Sequence, residues 1–175
     1  MPGKENFTDV YHEFKNLVYN LSLSYVQNAA DAQDITQEVF VKIYQNLHKY
    51  DPSAASMKTW IYRITINQSL DFLKAQKTIK RFGFITSLFR PDSNETSIEV
   101  ESYEHPGVAL EDKEELHRLF GLINTLPDQQ KTVLILLKIE DRSQKEVAEI
   151  MGLGVKAVES LFQRAKLSLS KKLNT

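Results

Sequence analysis

Apolar side chains spaced three and four residues apart, with only 6 glycines and 5 prolines in 175 residues to interrupt them, restrict this chain to a helical fold. From Phe7 to Val26 the positions Phe7, Val10, Tyr11, Phe14, Leu17, Val18, Leu21 and Tyr25 keep that step, which gives an amphipathic helix with one buried face. A second helix is expected to start at Asn28 or Asp31, whose short side chains can accept a free first-turn amide, and to run to about Leu47. Projected on a helical wheel, Ile35, Val39, Phe40, Ile43, Tyr44 and Leu47 fill one half. Asp34, Gln37, Glu38, Val41, Lys42 and Gln45 fill the other. Residues 51–56, with Asp51, Pro52, Ser53 and Ser56, read as a loop, and a third helix is expected from Met57 or Lys58 to Gln76.

From Lys77 to Gly107 no period would bury a core, and Gly83, Pro91 and Pro106 punctuate a Ser/Asn/Thr/Glu-rich tract, so this stretch reads as a flexible linker. Helical spacing returns through Leu116, Leu119, Phe120, Leu122 and Ile123 and stops near Leu126-Pro127, where proline suits the first turn of a new helix continuing through Val133 to Ile139. Ser143-Gln144-Lys145-Glu146 has the form of a capping box. Gly152 can take the left-handed conformation that ends the helix begun there. Val155 to Lys172 then resumes the period with Val158, Leu161, Phe162, Ala165, Leu167 and Leu169. This is the pattern of a helix-turn-helix: a small Ala148 at the crossing, Gly152 in the turn, Val158 locking the second helix. Its second helix would lie in a major groove, with Lys156, Glu159, Ser160 and Gln163 outward and Arg164, Lys166, Lys171 and Lys172 placed for phosphates.

Composition removes several functions. With no cysteine, disulfides, thiolate metal sites and thiol catalysis are excluded. His12, His48, His105 and His117 are not at ligand spacing, and no cofactor is expected. The absence of a long apolar run and of an apolar N-terminal core predicts a soluble, cytoplasmic chain without stable membrane insertion. The net charge of −1 is a sum of unlike parts. Residues 1–90 carry 11 Lys+Arg and 8 Asp+Glu; residues 91–115 carry 1 and 9; residues 116–175 carry 10 and 6. Two mildly basic blocks flank an acidic one, and local charge governs contact with a polyanion.

Asp34-Ile35-Thr36-Gln37-Glu38-Val39-Phe40, then Thr59-Trp60-Ile61-Tyr62-Arg63-Ile64-Thr65-Ile66-Asn67, then a helix-turn-helix preceded by Leu126-Pro127, occur in an order and spacing that closely resembles the extracytoplasmic-function (group IV) sigma factors of bacterial RNA polymerase. The resemblance implies an all-α fold of two small helical domains, a σ2-like bundle at 7–77 and a σ4-like helix-turn-helix domain at 108–173, joined by an acidic linker at 78–107. It further implies a promoter-specificity subunit with no catalysis of its own, whose partners are core RNA polymerase, promoter DNA and an anti-sigma factor, and which is a monomer when free. Asp34, Gln37, Glu38 and Phe40 carry the family's polymerase-docking motif. Arg63, Asn67 and Lys74, on one stripe of the third helix, with Ser56 and Lys58 of the loop before it, correspond to the minus-ten reader. Asn67 can donate to and accept from a base edge, and Arg63 and Lys74 suit phosphates. Trp60 is expected in the core rather than as a stacking platform. Lys156, Glu159, Ser160, Gln163 and Arg164 correspond to the minus-thirty-five reader.

Glu159 stands where many relatives have a basic residue, and Leu161 where arginine is frequent, so the minus-thirty-five sequence does not transfer. Glutamate there could accept from cytosine N4 or pair within the helix. Asp92, Glu95, Glu99, Glu101 and Glu104 of the linker could imitate a nucleic-acid strand or serve as a solvated tether. Phe82, Phe84, Ile85, Leu88 and Phe89 suit burial against a neighbouring domain or the polymerase better than a membrane surface. The alternative function is a stand-alone helix-turn-helix regulator with an N-terminal sensing domain, which would need a dimer surface to read paired half-sites.

Overall fold

The computed structural model describes residues 6–88 and 110–174, with side chains described over 6–83 and 113–174. Helix α1 (Phe7–Val26) is capped by Asn6, and α2 (Ala29–Asn46) by Asn28, whose side chain accepts the Asp31 amide at 2.9 Å. A single 3-10 turn (Leu47–Lys49) and the loop 51–56 lead to α3 (Met57–Leu88). The loop is stiffened locally. Asp51 accepts from the backbone and hydroxyl of Ser53, which holds its carboxyl below the usual range, and the Tyr50 hydroxyl donates to the Ala55 carbonyl at 3.0 Å. Ser56 accepts from the Thr59 amide at 3.1 Å, the N-cap arrangement that starts α3.

Helix α3 continues past Gln76, where the sequence pattern pointed to a linker, as far as Leu88. Lys77 to Arg81 are residues with no helix-breaking chemistry, and a helix can propagate through them without burying a face. Ile79 and Phe82 are accordingly exposed in this extension. The acidic residues Asp92, Glu95, Glu99, Glu101 and Glu104, together with Phe89, lie outside the described residues, and the side chains of Phe84, Ile85 and Leu88 outside the described side chains.

Helices α1, α2 and α3 pack as a bundle around Val10, Phe14, Val18, Ile35, Val39, Phe40, Ile43 and Ile61. Tyr44, expected on the buried half of α2, is 68% exposed and caps an aromatic cluster, its ring 5.2 Å from Phe7. Trp60 is half-buried, its ring 5.3 Å from Tyr50 beneath the loop, and packs against this core as expected.

The second unit comprises α4 (Leu110–Asn124), α5 (Asp128–Leu134), α6 (Gln144–Met151) and α7 (Val155–Leu173). Pro127 precedes α5, and beyond Leu134 the chain winds as a π turn over Ile135–Ile139, ending at Asp141 with φ of 50°. Ser143 and Glu146 form the capping box: the Ser143 amide donates to the Glu146 carboxylate at 2.8 Å, and the Glu146 amide donates to the Ser143 hydroxyl at 3.2 Å. Gly152 ends α6 with φ of 65°, a left-handed conformation that an L side chain would strain. Val158 and Ala165 of α7 are fully buried against Val133, Leu136, Val147 and Ala148. The helix-turn-helix is therefore assembled as its spacing predicted. The second core does not stop at the domain edge, however. Leu21, Tyr25, Tyr62 and Ile66 of the first bundle belong to it, so one apolar cluster joins the two domains.

Candidate polymerase and nucleic-acid interfaces

Asp34, Gln37, Glu38, Val41, Lys42 and Gln45 lie exposed along the outer face of α2, where they border a shallow depression floored by Phe72. Phe40 is 5% exposed. It braces the helix from behind, against Phe7 and Tyr11, and cannot itself meet a partner. Glu38 is not free either: its carboxylate accepts from Gln68 on α3, whose amide oxygen accepts from Lys42. Asp34 and Gln37 remain as outward groups without described internal hydrogen bonds. The period of the sequence separated the two faces of α2 but could not foresee Gln68, because that pairing depends on how α3 crosses α2.

The stripe of α3 read as a minus-ten surface faces the second domain. Arg63 donates from Nε to the Ile150 carbonyl at 3.0 Å and from Nη2 to the Glu149 carbonyl at 2.7 Å, both at the C-terminal end of α6, where unpaired carbonyls and the helix dipole favour a cation. Lys74 pairs with Asp128 at 3.4 Å. Asn67 borders, with Arg63, a cavity of about 430 Å³ whose far wall is Asp128, Gln129, Thr132 and Met151. Ser56 is engaged as the cap of α3, and Lys58 lies on a separate groove beside Tyr62, Glu140 and Arg142. The five residues are thus not one free surface: Arg63 is engaged by the second domain, Lys74 is paired with Asp128 but exposed, Asn67 is exposed at the cavity edge, Ser56 is a cap, and Lys58 stands apart.

Three more contacts, none signalled by the sequence pattern, complete the seam. The hydroxyls of Tyr25 and Thr132 are 2.8 Å apart in the core, the Tyr62 hydroxyl donates to Glu140 at 3.2 Å, and the Thr59 hydroxyl donates to Glu149 at 3.3 Å. A net hydrogen bond contributes about 1 kcal/mol, whereas fully burying a large apolar side chain contributes about 1.5–3 kcal/mol. Burial of Leu21, Tyr25, Tyr62 and Ile66 therefore holds the seam, and the polar contacts orient it. Burial pushes the Tyr25 and Tyr62 hydroxyls up, so both stay protonated and neutral throughout the physiological range.

Burial also raises the Glu140 carboxyl above its ordinary value, against the smaller opposing effects of the Tyr62 bond, Arg142 and Lys58. A carboxyl whose folded pKa is raised favours the folded state below its unfolded pKa and loses that contribution as pH rises through the folded value. Glu140→Gln, which keeps an acceptor for Tyr62 without the buried charge, should consequently melt at a higher temperature than the parent at pH 7. The difference should shrink when both are compared below pH 4.5. Equal melting temperatures at pH 7 would contradict desolvation as the dominant effect.

On the second domain, Lys156, Glu159, Ser160, Gln163 and Arg164 are all exposed along the first turns of α7, a continuous outward stripe. Behind it, Lys166 lies over the Phe162 ring at 4.7 Å and Lys138 at 5.5 Å from the other approach. Lys172 donates to Thr125, so it is held toward α4. Among the described residues no group of His, Asp and Glu could hold a metal ion, and no helix is long and apolar enough to cross a membrane.

Comparison with known proteins identifies the family. The family model for Sigma-70 region 2 matches residues 10–79, and that for Sigma-70, region 4 matches residues 116–169. The chain is 27% identical to ECF RNA polymerase sigma factor SigW of Bacillus subtilis (97% of this chain, 90% of the relative). It is 30% identical to ECF RNA polymerase sigma-E factor of Haemophilus influenzae (97% and 88%). The fold matches CnrH in its complex with the cytosolic domain of CnrY at a TM-score of 0.63 (24% identity; 96% and 87% covered). It matches the sigma factor RpoE of Bartonella quintana, in complex with the anti-sigma factor NepR, at 0.62 (17% identity; 97% and 97%). These likenesses span both domains. With region 2 on the α1–α3 bundle and region 4 on the helix-turn-helix, the chain belongs to the extracytoplasmic-function sigma factors of bacterial RNA polymerase, within the sigma-70 family.

Proposed function

We propose that this factor recruits core RNA polymerase through the exposed face of α2, with Asp34 and Gln37 as its direct polar contacts and Phe40 as their support, and that it reads promoters with both domains. In this reading the first domain spans about 7–77 and the second about 108–173. Between them, the part of the 78–107 connection up to Leu88 prolongs α3. The observation that carries the proposal is the division of engagement: the outer faces of α2 and α7 are open, while Arg63 on the stripe of α3 is bound to the second domain.

Duplex contact by α7 can begin in this closed arrangement. Its stripe offers Lys156 and Arg164 to phosphates and Ser160, Gln163 and Glu159 to base edges. Full engagement of the minus-ten element cannot. Asn67, which suits a base edge, is exposed, but the donors of Arg63 that would hold the DNA backbone beside it are taken by Ile150 and Glu149. The domains must therefore part before Arg63 meets DNA. Docking of the polymerase on α2 supplies binding energy for that step if it favours the open arrangement.

The structural relatives CnrH and RpoE are each described bound to another protein, RpoE to an anti-sigma factor. Control of this chain by an anti-sigma factor follows from the same family reading. With no cysteine of its own, any thiol-based signal would act through that partner. The factor itself carries out no catalysis: it selects where the polymerase starts.

Core polymerase of the same source, reconstituted with the purified factor, should produce transcript starts that map to discrete promoters and vanish when the factor is omitted. Starts that are identical with and without it would refute the assignment.

A further inference from the structure

Lys77 and Lys80 on the outer part of α3 face Asn124 and Lys131 of the second domain across a cavity of about 170 Å³, with Leu73 and Gln76 completing its wall. Lys131 is 1% exposed. Among the described residues its ammonium group makes no hydrogen bond or ion pair, and Asp128 acts on it as an opposite charge without touching it. Burial pushes its pKa down and the charge of Lys77 pushes the same way, against a smaller upward pull from Asp128. Asp128 is itself engaged by Lys74. Beside Lys131, the Asn124 side-chain oxygen is buried with no partner, and turning that amide over would present its N–H donors instead. The next residue, Thr125, receives Lys172, which adds a further positive charge nearby. Among the described residues no carboxylate lines the cavity. Asp31 stands behind Gln76, accepting its amide at 3.2 Å.

Three lysines converging on a half-open cavity, one of them 1% exposed and in no ion pair among the described residues, are a receptor for negative charge. The space admits a phosphate or diphosphate group but is too small for a nucleic-acid strand while the domains are closed. We propose that this cavity binds a small phosphate-bearing anion, with Lys131 as the buried ligand, Lys77 and Lys80 closing over it and Asn124 donating from its amide. Because its walls come from both domains, an occupant bridges them and favours the arrangement in which Arg63 and Lys74 are turned toward the second domain. The anion is in this way a brake on promoter melting. The site rests on the closed arrangement, not on which polymerase or promoter the factor serves.

The test uses the full chain. Inorganic phosphate, pyrophosphate and ADP are titrated separately at ionic strength matched with sodium chloride, and the melting temperature and phosphorus NMR linewidths are followed. Pyrophosphate is expected to raise the melting temperature by several degrees, since a ligand bound only to the folded state stabilises it by mass action. Lys131→Met should abolish that rise while melting at or above the parent without anion, because it removes an unpaired buried charge. Lys77→Gln with Lys80→Gln, both on exposed positions, should weaken pyrophosphate binding at least tenfold without altering the fold, and carries the test if Lys131→Met fails to fold. Tighter binding of ADP than of pyrophosphate would assign a nucleotide as the source of the anion; the reverse order would assign a free anion. A rise that persists in Lys131→Met, or one that chloride reproduces, would be general salt stabilisation and would overturn the site. Factor-dependent transcription by Lys131→Met without added anion separates failure of the site from failure of the sigma-factor reading.

Discussion

Asp34→Ala combined with Gln37→Ala is expected to weaken binding of this factor to core RNA polymerase by about tenfold to a hundredfold while leaving its helix content and melting temperature unchanged. Both side chains are exposed on α2 and make no described hydrogen bond within the chain, so truncating them removes nothing from the fold. Surface substitutions of that kind usually alter stability by less than about 0.5 kcal/mol. At an interface, by contrast, polar groups near the centre of a contact cost on the order of 1 kcal/mol or more each when truncated, and every 1.4 kcal/mol is a tenfold change in affinity. Glu38 is a poorer choice for this experiment because it is tied through Gln68 to Lys42, and removing it would leave the Gln68 amide without its acceptor. The readout is competition for core polymerase against the parent factor, with circular dichroism as the check on folding. Full retention of affinity would move the docking surface elsewhere, the exposed aromatic cluster of Tyr11 and Tyr44 being next in line.

Thr132→Glu should separate the two domains. Thr132 is 3% exposed, and its hydroxyl is 2.8 Å from that of Tyr25 inside the core shared by both domains. A carboxylate placed there is buried beside Tyr25, on which the negative charges of Asp128 and Glu140 already act, and the Nε and Nη2 donors of Arg63 on the facing cavity wall are taken by Ile150 and Glu149. An uncompensated buried charge costs several kcal/mol, more than the roughly 1 kcal/mol of any single polar contact across the seam, so the least costly relief is to part the domains and return the charge to water. Small-angle scattering should show a larger radius of gyration, and the free factor should bind single-stranded minus-ten DNA more tightly than the parent because the donors of Arg63 are released. Tyr25→Phe provides a graded control. It leaves only the Thr132 hydroxyl unpaired and should cost about 1–2 kcal/mol with the domains still closed. An unchanged radius of gyration in Thr132→Glu, with intact helicity, would mean the seam is not what holds the domains together.

How much of this was legible beforehand varies with the range of the interaction. Asn28 as the cap of α2, the Ser143–Glu146 capping box and the left-handed Gly152 follow from residues within four positions of one another, and they stand as the sequence implied. The buried sets on α1 and α2 follow from helical period alone, except Tyr11, which is 40% exposed, and Tyr44. Its place at the edge of the bundle depends on the position of Phe7 rather than on its own helix. The end of α3 was misjudged because the residues after Gln76 lack a buried face, and lack of burial does not stop a helix that already has a nucleus.

The candidate sites divide in the same way. Residue types and order were enough to nominate Asp34, Gln37, Arg63, Asn67 and the α7 stripe, since each motif is local and each helix presents its polar side by periodicity. Whether those residues are available was decided by contacts between positions far apart in the chain: Arg63 with Ile150, Tyr62 with Glu140, Tyr25 with Thr132. The sequence by itself determined the helices, their caps, the helix-turn-helix and the family, because these rest on interactions within a turn or two and on the order of motifs. Only the tertiary structure decided that Arg63 of the minus-ten stripe is engaged by the second domain and that Lys131 is buried beside Lys77. Both depend on how two bundles dock, which is settled by the shape and apolar area of whole faces and leaves no periodic trace in the chain.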